Sequence, residues 1–271
     1  MTGAAGESRN GDPPVKIGRM LFTMVDPNRG HEVAYNRWYE RDHFYAGCLV
    51  GPWLFAGKRW VATRVLKDLR FPEESPFATP VDAGSYLSIY WVHAGHEDEH
   101  FAWARQQVYW LYGQGRGFSE RTHAHTKMYD FGAAHYRQPD GVPIELALDH
   151  PFGGLVVLST EPAVGSSHEA LVVAAAPHVG ALLHEGMDVV SDWRLHLEEG
   201  DFKAPMELGA EGGTDDRRVQ LCFLTGSPER LWPAVRRYAE SLAASGAGTV
   251  SFAAPFVPTI VGTDTYTDAL W

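Results

Sequence analysis

A chain of 271 residues with Lys plus Arg at 23 against Asp plus Glu at 34 carries a formal net charge of −11. That balance argues against nucleic acid and anionic membrane as partners, since both attract basic patches. At 45% apolar and 21% charged residues the chain is globular and long enough for two ordinary domains. Its longest apolar run, Leu171–Ala176, is far short of the ~20 residues that span a bilayer. The two lone cysteines, Cys48 and Cys222, build no disulfide framework and suit a reducing cytoplasm.

Residues 1–14 are small, polar and Gly-rich without an apolar stretch, and read as a loose tail, not a signal peptide. Ile17–Val25 predicts a strand ending at the Asp26-Pro27-Asn28 turn, followed by a helix over Glu32–Ala46 that Gly47 stops. Phe55–Leu66 predicts a second strand. Lys67–Ala83, with Pro72, Pro76 and Pro80 and no apolar period, is a loop. Ser85–His93 reads as a third strand, Asp98–Tyr112 as a helix ended by glycines, and Arg121–Tyr136 as a long fourth strand. Gln138-Pro139-Asp140-Gly141 makes a turn.

The order then repeats. Leu155–Thr160 predicts a strand, His168–His184 a helix interrupted by Pro177, and Asp188–Leu197 a strand, with a polar Gly-rich loop over Glu198–Asp216. Val219–Leu224 is the next strand. A helix opens with Ser227 as N-cap and Pro228 at its first position, and Leu231, Val235, Tyr238 and Leu242 line one side. Thr249–Val261 closes the series. The division is a tail (1–14), a first βαββαβ module (15–137), a linker (138–152) and a second module (153–271).

The helix at Glu32–Ala46 carries the chemistry. On a wheel of 3.6 residues per turn Arg37, Glu40 and Arg41 fall on the solvent side. Opposite them lie Tyr35, Trp38, Tyr39, Asp42 and Ala46, with His43 at the margin of that face. A carboxylate and an imidazole on an aromatic face point to a cavity, because burying Asp42 costs several kcal/mol (roughly) unless it is paired. The alternative is a satisfied core histidine, with Asp42 bonded to backbone or to a strand arginine.

The stretch Asn36-Arg37-Trp38-Tyr39-Glu40-Arg41-Asp42-His43 resembles the Trp-Tyr-x-x-x-His helix of the dimeric α/β-barrel superfamily, in particular its EthD-like members. The resemblance implies two tandem ferredoxin-like α+β modules packed sheet to sheet, with a pocket between each sheet and its helices. Members include cofactor-free monooxygenases, polyketide cyclases, lactone isomerases and heme enzymes. The second module lacks the Trp-Tyr pair, which makes it the degenerate or scaffold copy.

Other constellations are weaker. His96-Glu97-Asp98-Glu99-His100 is a literal HExxH but sits in a charged helix start and reads as an acidic capping turn, so no metal is expected. His123 and His125 alternate on a strand, which predicts one shared face with Arg121, Lys127 and Tyr129. That face suits a substrate pocket or solvent. Trp103 and Trp110 share a helix face opposite Phe101 and Val108, as in a subunit or inter-module contact.

The expected activity is acid–base chemistry on a small aromatic or polycyclic substrate, as a cofactor-independent monooxygenase. A cyclase, isomerase or lyase, a heme oxidoreductase with His178 or His184 as axial ligand, and a noncatalytic ligand-binding protein are the alternatives. His43 is the expected general base at near-neutral pH, Asp42 its support and Tyr39 the donor to the developing oxyanion. Tyr35, Trp38, Trp91, His123 and His125 are the expected substrate contacts. No cofactor is expected in the leading reading, heme or flavin in the others, and homodimerisation is left open.

Overall fold

The computed structural model describes residues 14–197, 208–209 and 217–271. The first module comprises β1 (Ile17–Pro27), α1 (Glu32–Trp38) continuing into a π-helical segment (Tyr39–Leu49), β2 (Leu54–Val61), the short α2 (Arg64–Lys67), β3 (Tyr86–His93), α3 (Glu97–Gly113) and β4 (Arg121–Tyr136). A 3-10 turn (Ile144–Leu146) lies in the linker. The second module follows as β5 (Gly154–Pro162), α4 (His168–Glu185), β6 (Val189–Leu195), β7 (Arg218–Leu224), α5 (Pro228–Ala244) and β8 (Gly248–Pro258). The loop expected over Glu198–Asp216 lies outside the described residues apart from Leu208 and Gly209.

The strands close into one antiparallel barrel in the order β1-β3-β2-β8-β5-β7-β6-β4. Cut between modules, this is β4-β1-β3-β2 and β8-β5-β7-β6, the same ferredoxin-like order twice. The two seams are equivalent, because the second strand of each module pairs with the fourth of the other. Their lengths differ. The β4–β6 seam runs from Tyr129 opposite Leu195 to Tyr136 opposite Val189, whereas the β2–β8 seam holds only Trp60 opposite Pro258 and Val61 opposite Val257. Prolines donate nothing to a ladder, and the loop after β2 takes over further along β8. There Phe71 pairs with Ala253, and Ser75 Oγ donates to Ser251 O at 2.6 Å. Closure leaves the sheet no free edge.

The barrel interior is an aromatic core. Trp60, Trp91 and Trp193 are buried, and Trp91 stacks on Trp193 with centroids 4.8 Å apart. Phe77 enters near the starts of β4 and β8, stacked on His125 (3.8 Å) and Phe252 (4.7 Å). Linker residues close the opposite end, where Phe152 meets Phe223 at the end of β7 and Ile144 N donates to Tyr136 Oη.

Three sequence expectations change. The helix expected to break at Pro177 is continuous as α4. Its buried face, Leu171, Ala175, Val179 and Leu182, packs on the second sheet while Pro177 lies on the exposed side. The second strand ends at Val61, five residues early, because Leu66 and Lys67 turn inward on α2. The first helix runs on past Ala46 to Leu49 as a π-helix. Its i→i+5 turn holds more than 3.6 residues, so positions read from a 3.6 wheel drift. Glu40 therefore points inward instead of to solvent. It pairs with buried Arg59 (3.1 Å) and accepts from Gly262 N (2.8 Å).

The residues after β8 cross back over α1. Asn36 Nδ2 donates to Thr263 O (2.9 Å), Arg37 pairs with Asp264, and Trp271 Nε1 donates to Glu32 Oε1 (2.7 Å). Leu270 is buried among Tyr35, Tyr39 and Tyr86. The second module thus clamps the helix that bears the candidate site. Among the described residues no helix is long and apolar enough to cross a membrane.

Candidate active site

A cavity of about 160 Å³ opens between the first module's sheet and its helices. The π-helical segment contributes Tyr39, His43, Gly47 and Cys48, and α1 contributes Tyr35. On α3 the stripe Phe101, Ala104, Arg105 and Val108 faces it, and Arg121, His123 and Thr126 come from β4. The two helices are tied at the rim by Gln107 Nε2 donating to Ala46 O (2.7 Å).

His43 is held by its neighbours. Its ring stacks on Trp38 at 4.5 Å with a 17° tilt, and meets Tyr39 edge-on at 5.2 Å. Trp38 is fixed in turn by donating Nε1–H to Arg116 O (2.9 Å), and carries the Arg121 guanidinium over its ring at 4.6 Å. Burial, reinforced by Arg121 and His123, drops the His43 imidazole to about 3. His123 is likewise pushed down to about 3 by burial and then by Arg121. Both rings are neutral at physiological pH.

His123 Nδ1 bonds Thr126 Oγ1 at 2.7 Å, and Thr126 Oγ1 bonds Thr23 Oγ1 at 2.8 Å. His123 Nε2 is buried with no hydrogen-bond partner among the described residues. Arg121 donates to Tyr112 Oη (2.9 Å) and meets no carboxylate among the described residues. Tyr39 Oη and Tyr90 Oη share a 2.8 Å hydrogen bond, and burial raises both phenols.

The structure brings together Tyr35, Tyr39, His43 and His123, with Trp38 as the wall behind His43. It separates the rest. Asp42 lies outside the cavity and is engaged by Arg116, through Nε at 3.0 Å and through Nη2, which holds its carboxyl below the usual range. Asp42 does not orient the His43 ring, which the Trp38 stack holds, but its charge raises the affinity of His43 for a proton. Trp91 points into the barrel interior against Trp193, on the other side of the sheet.

His125 also lies inside the barrel, stacked on Phe77 and bonded through Nε2 to Tyr129 Oη (2.8 Å). The shared face expected for His123 and His125 fails because β4 carries a bulge. Met24 pairs with His125 and Val25 with His123, so Ala124 is an extra residue that switches the facing of the strand.

No metal site is built at the HExxH stretch. His100 Nδ1 donates to Pro52 O (2.6 Å), His96 stacks on Trp53 (3.5 Å), and no cluster of three metal-ligating residues occurs among the described residues. In module two, His184 is exposed and His178 lies edge-on to Tyr238 at 6.3 Å. Neither faces a cavity beneath α4, where Leu171, Ala175, Val179 and Leu182 close on the sheet, so the axial-ligand expectation is corrected. Reading the sequence missed Arg105, whose only signal is a cation inside the Phe101–Val108 stripe, and named Arg121 only as a neighbour on the His123 face.

No family pattern and no curated protein matches the chain in sequence. Solved structures do. A protein provisionally assigned as a chlorite dismutase superposes with a TM-score of 0.51 at 9% identity, over 94% of this chain and 100% of that one. A DypB variant from Rhodococcus jostii RHA1, solved in complex with heme, gives 0.53 at 12% identity over 96% and 97%. The fold is the dimeric α/β barrel, closed within one chain. At these identities the likeness is one of fold. It still overturns the expectation of a cofactor-free site, since a protein of the same fold carries heme.

Proposed function

We propose that the module-one cavity is the working site of an oxidoreductase that takes a small planar aromatic molecule, with His43 as its proton acceptor and His123 as a ligand contact. The observation that carries this reading is the pair of neutral imidazoles facing one aromatic-walled cavity beside Arg121. Redox chemistry in this fold is suggested by neighbours named for a chlorite dismutase and a heme-bound DypB.

His43 is unprotonated at neutral pH, so it is always in the accepting form. Proton transfer from a free phenol near 10 to an imidazole near 3 is uphill by about 7 units, roughly 9–10 kcal/mol. The transfer becomes accessible only when the new anion forms between the new imidazolium and Arg121, so that three charges alternate in sign. When Tyr90 Oη donates to Tyr39 Oη, the Tyr39 hydroxyl is left as the neutral donor at the cavity wall. Asp42, paired with Arg116, supports the imidazolium only through its charge.

Heme finds a donor it can use here, the unpartnered His123 Nε2. The cavity bounded by the described residues is small for it. About 160 Å³ is close to the roughly 150 Å³ of a cavity that binds benzene, and far below what a tetrapyrrole fills. No step is assigned to it.

The test is oxygen uptake with a panel of phenols and hydroxylated bicyclic aromatics, alongside the absorption spectrum of the purified protein from 300 to 700 nm. Turnover by the wild type, lost in His43→Gln with the fold retained, supports the reading. Full activity in that variant sinks it, and a Soret band would show heme bound despite the small volume of this cavity.

A further inference from the structure

We infer that the ligand of this cavity is an anion, an aromatic carboxylate or phenolate whose charged oxygen sits between Arg121 and His123 Nε2. The inference rests on the aromatic-cavity reading above and adds the charge and orientation of the ligand. On a chain of net charge −11, the described residues lining this cavity include Arg105 and Arg121 and no carboxylate. Asp42, the adjacent acid, is turned away and neutralised by Arg116. Arg121, half-buried and with no carboxylate partner among the described residues, is a poor structural element, because its desolvation is not repaid, and a good recognition element.

The hydrogen-bond chain fixes how His123 takes part. When Thr23 Oγ1–H donates to Thr126 Oγ1, and Thr126 donates on to His123 Nδ1, the ring carries its proton on Nε2. That buried N–H, which has no partner among the described residues, then donates to the ligand oxygen. Arg121, packed over Trp38 and anchored on Tyr112 Oη, supplies the charge. The aromatic body lies against Tyr35, Tyr39 and Phe101. An anion here also offsets the repulsion that Arg121 exerts on a protonated His43, so binding raises the affinity of His43 for a proton.

The experiment is calorimetric titration of the full chain at pH 7.5 with three molecules of one shape: cinnamate, cinnamyl alcohol and cinnamylamine. Cinnamate is expected to bind at least tenfold more tightly than the alcohol, with the amine weakest. Arg121→Gln is expected to erase that difference while keeping the alcohol's affinity. Equal binding of alcohol and cinnamate by the wild type overturns the anion assignment and leaves the aromatic cavity standing. Absence of binding by all three overturns both. A preference for cinnamate that survives in folded Arg121→Gln removes Arg121 from the site. Should that variant not fold, the wild-type comparison of the three probes still decides on ligand charge.

Discussion

Gly47 lies directly against the His43 imidazole: a Cβ built at position 47 would stand 2.8 Å from both Cε1 and Nδ1 of that ring. The absence of a side chain at 47 is therefore what lets the ring fold back along the helix between Trp38 and the cavity. Gly47→Ala is expected to displace His43 and weaken cinnamate binding at least tenfold. Stability should change by less than about 1 kcal/mol, since the helix propensity gained by Ala offsets the crowding. Calorimetric titration and urea unfolding of the one variant check both halves.

The bulge at Ala124 makes two neighbouring histidines respond in opposite ways. His125→Ala empties a position stacked on Phe77 inside the barrel and strips Tyr129 of its partner. It should cost about 2–4 kcal/mol, as large core truncations do, and leave ligand binding nearly unchanged. His123→Ala removes a ring whose Nε2 has no partner among the described residues and whose Nδ1 bonds Thr126, so it should cost about 1–2 kcal/mol yet abolish the preference for cinnamate over the alcohol. Urea unfolding and titration of both variants separate the two roles.

The sequence made the double βαββαβ order legible because turns and apolar runs recur in the same sequence, and it made the His43 helix legible because aromatics cluster there. What it hid are departures from regular geometry. A π-helical turn brought Glu40 inward and carried Asp42 out to Arg116, and nothing in the residue pattern announces that change of pitch. A single inserted residue reversed the facing of His125, which strict alternation put beside His123. Pro177 reads as a break, yet it lies on the exposed side of a helix whose buried face packs continuously. Trp91 was misplaced for another reason: β3 is buried on both faces, so the strand pattern carries no sign of which face meets the cavity.

Stability should depend on pH in a defined window. His43 and His123 titrate near 3 in the folded chain and near 6.5 when unfolded, so the unfolded state binds more protons between those values. Their contribution is fully present above about 6.5 and is lost as pH falls toward 3. Between pH 7 and 5 each should contribute a loss of about 1–2 kcal/mol. Urea unfolding at pH 7, 6 and 5 measures the slope, and His43→Gln should flatten it. A slope identical in variant and wild type would mean that His43 is solvated.

Glu40 and Arg59 tie the site helix to both the sheet and the residues after β8. Arg59 is 4% exposed, with its guanidinium over the rings of Tyr39 (4.5 Å) and Tyr86 (4.8 Å). Its charge is met by Glu40 at 3.1 Å, with Asn36 Oδ1 accepting a second bond at 2.9 Å. Removing Glu40 alone leaves a buried cation uncompensated and frees Gly262 N, so Glu40→Leu should cost about 3–5 kcal/mol. Arg59→Met alone strands the carboxylate and should cost a similar amount. The double variant should be more stable than either single, because two apolar chains of matching size remove both desolvation penalties. Urea unfolding of the two singles and the double closes the cycle. If the two losses simply add, the pair is not coupled, and Arg59 is held instead by the faces of Tyr39 and Tyr86.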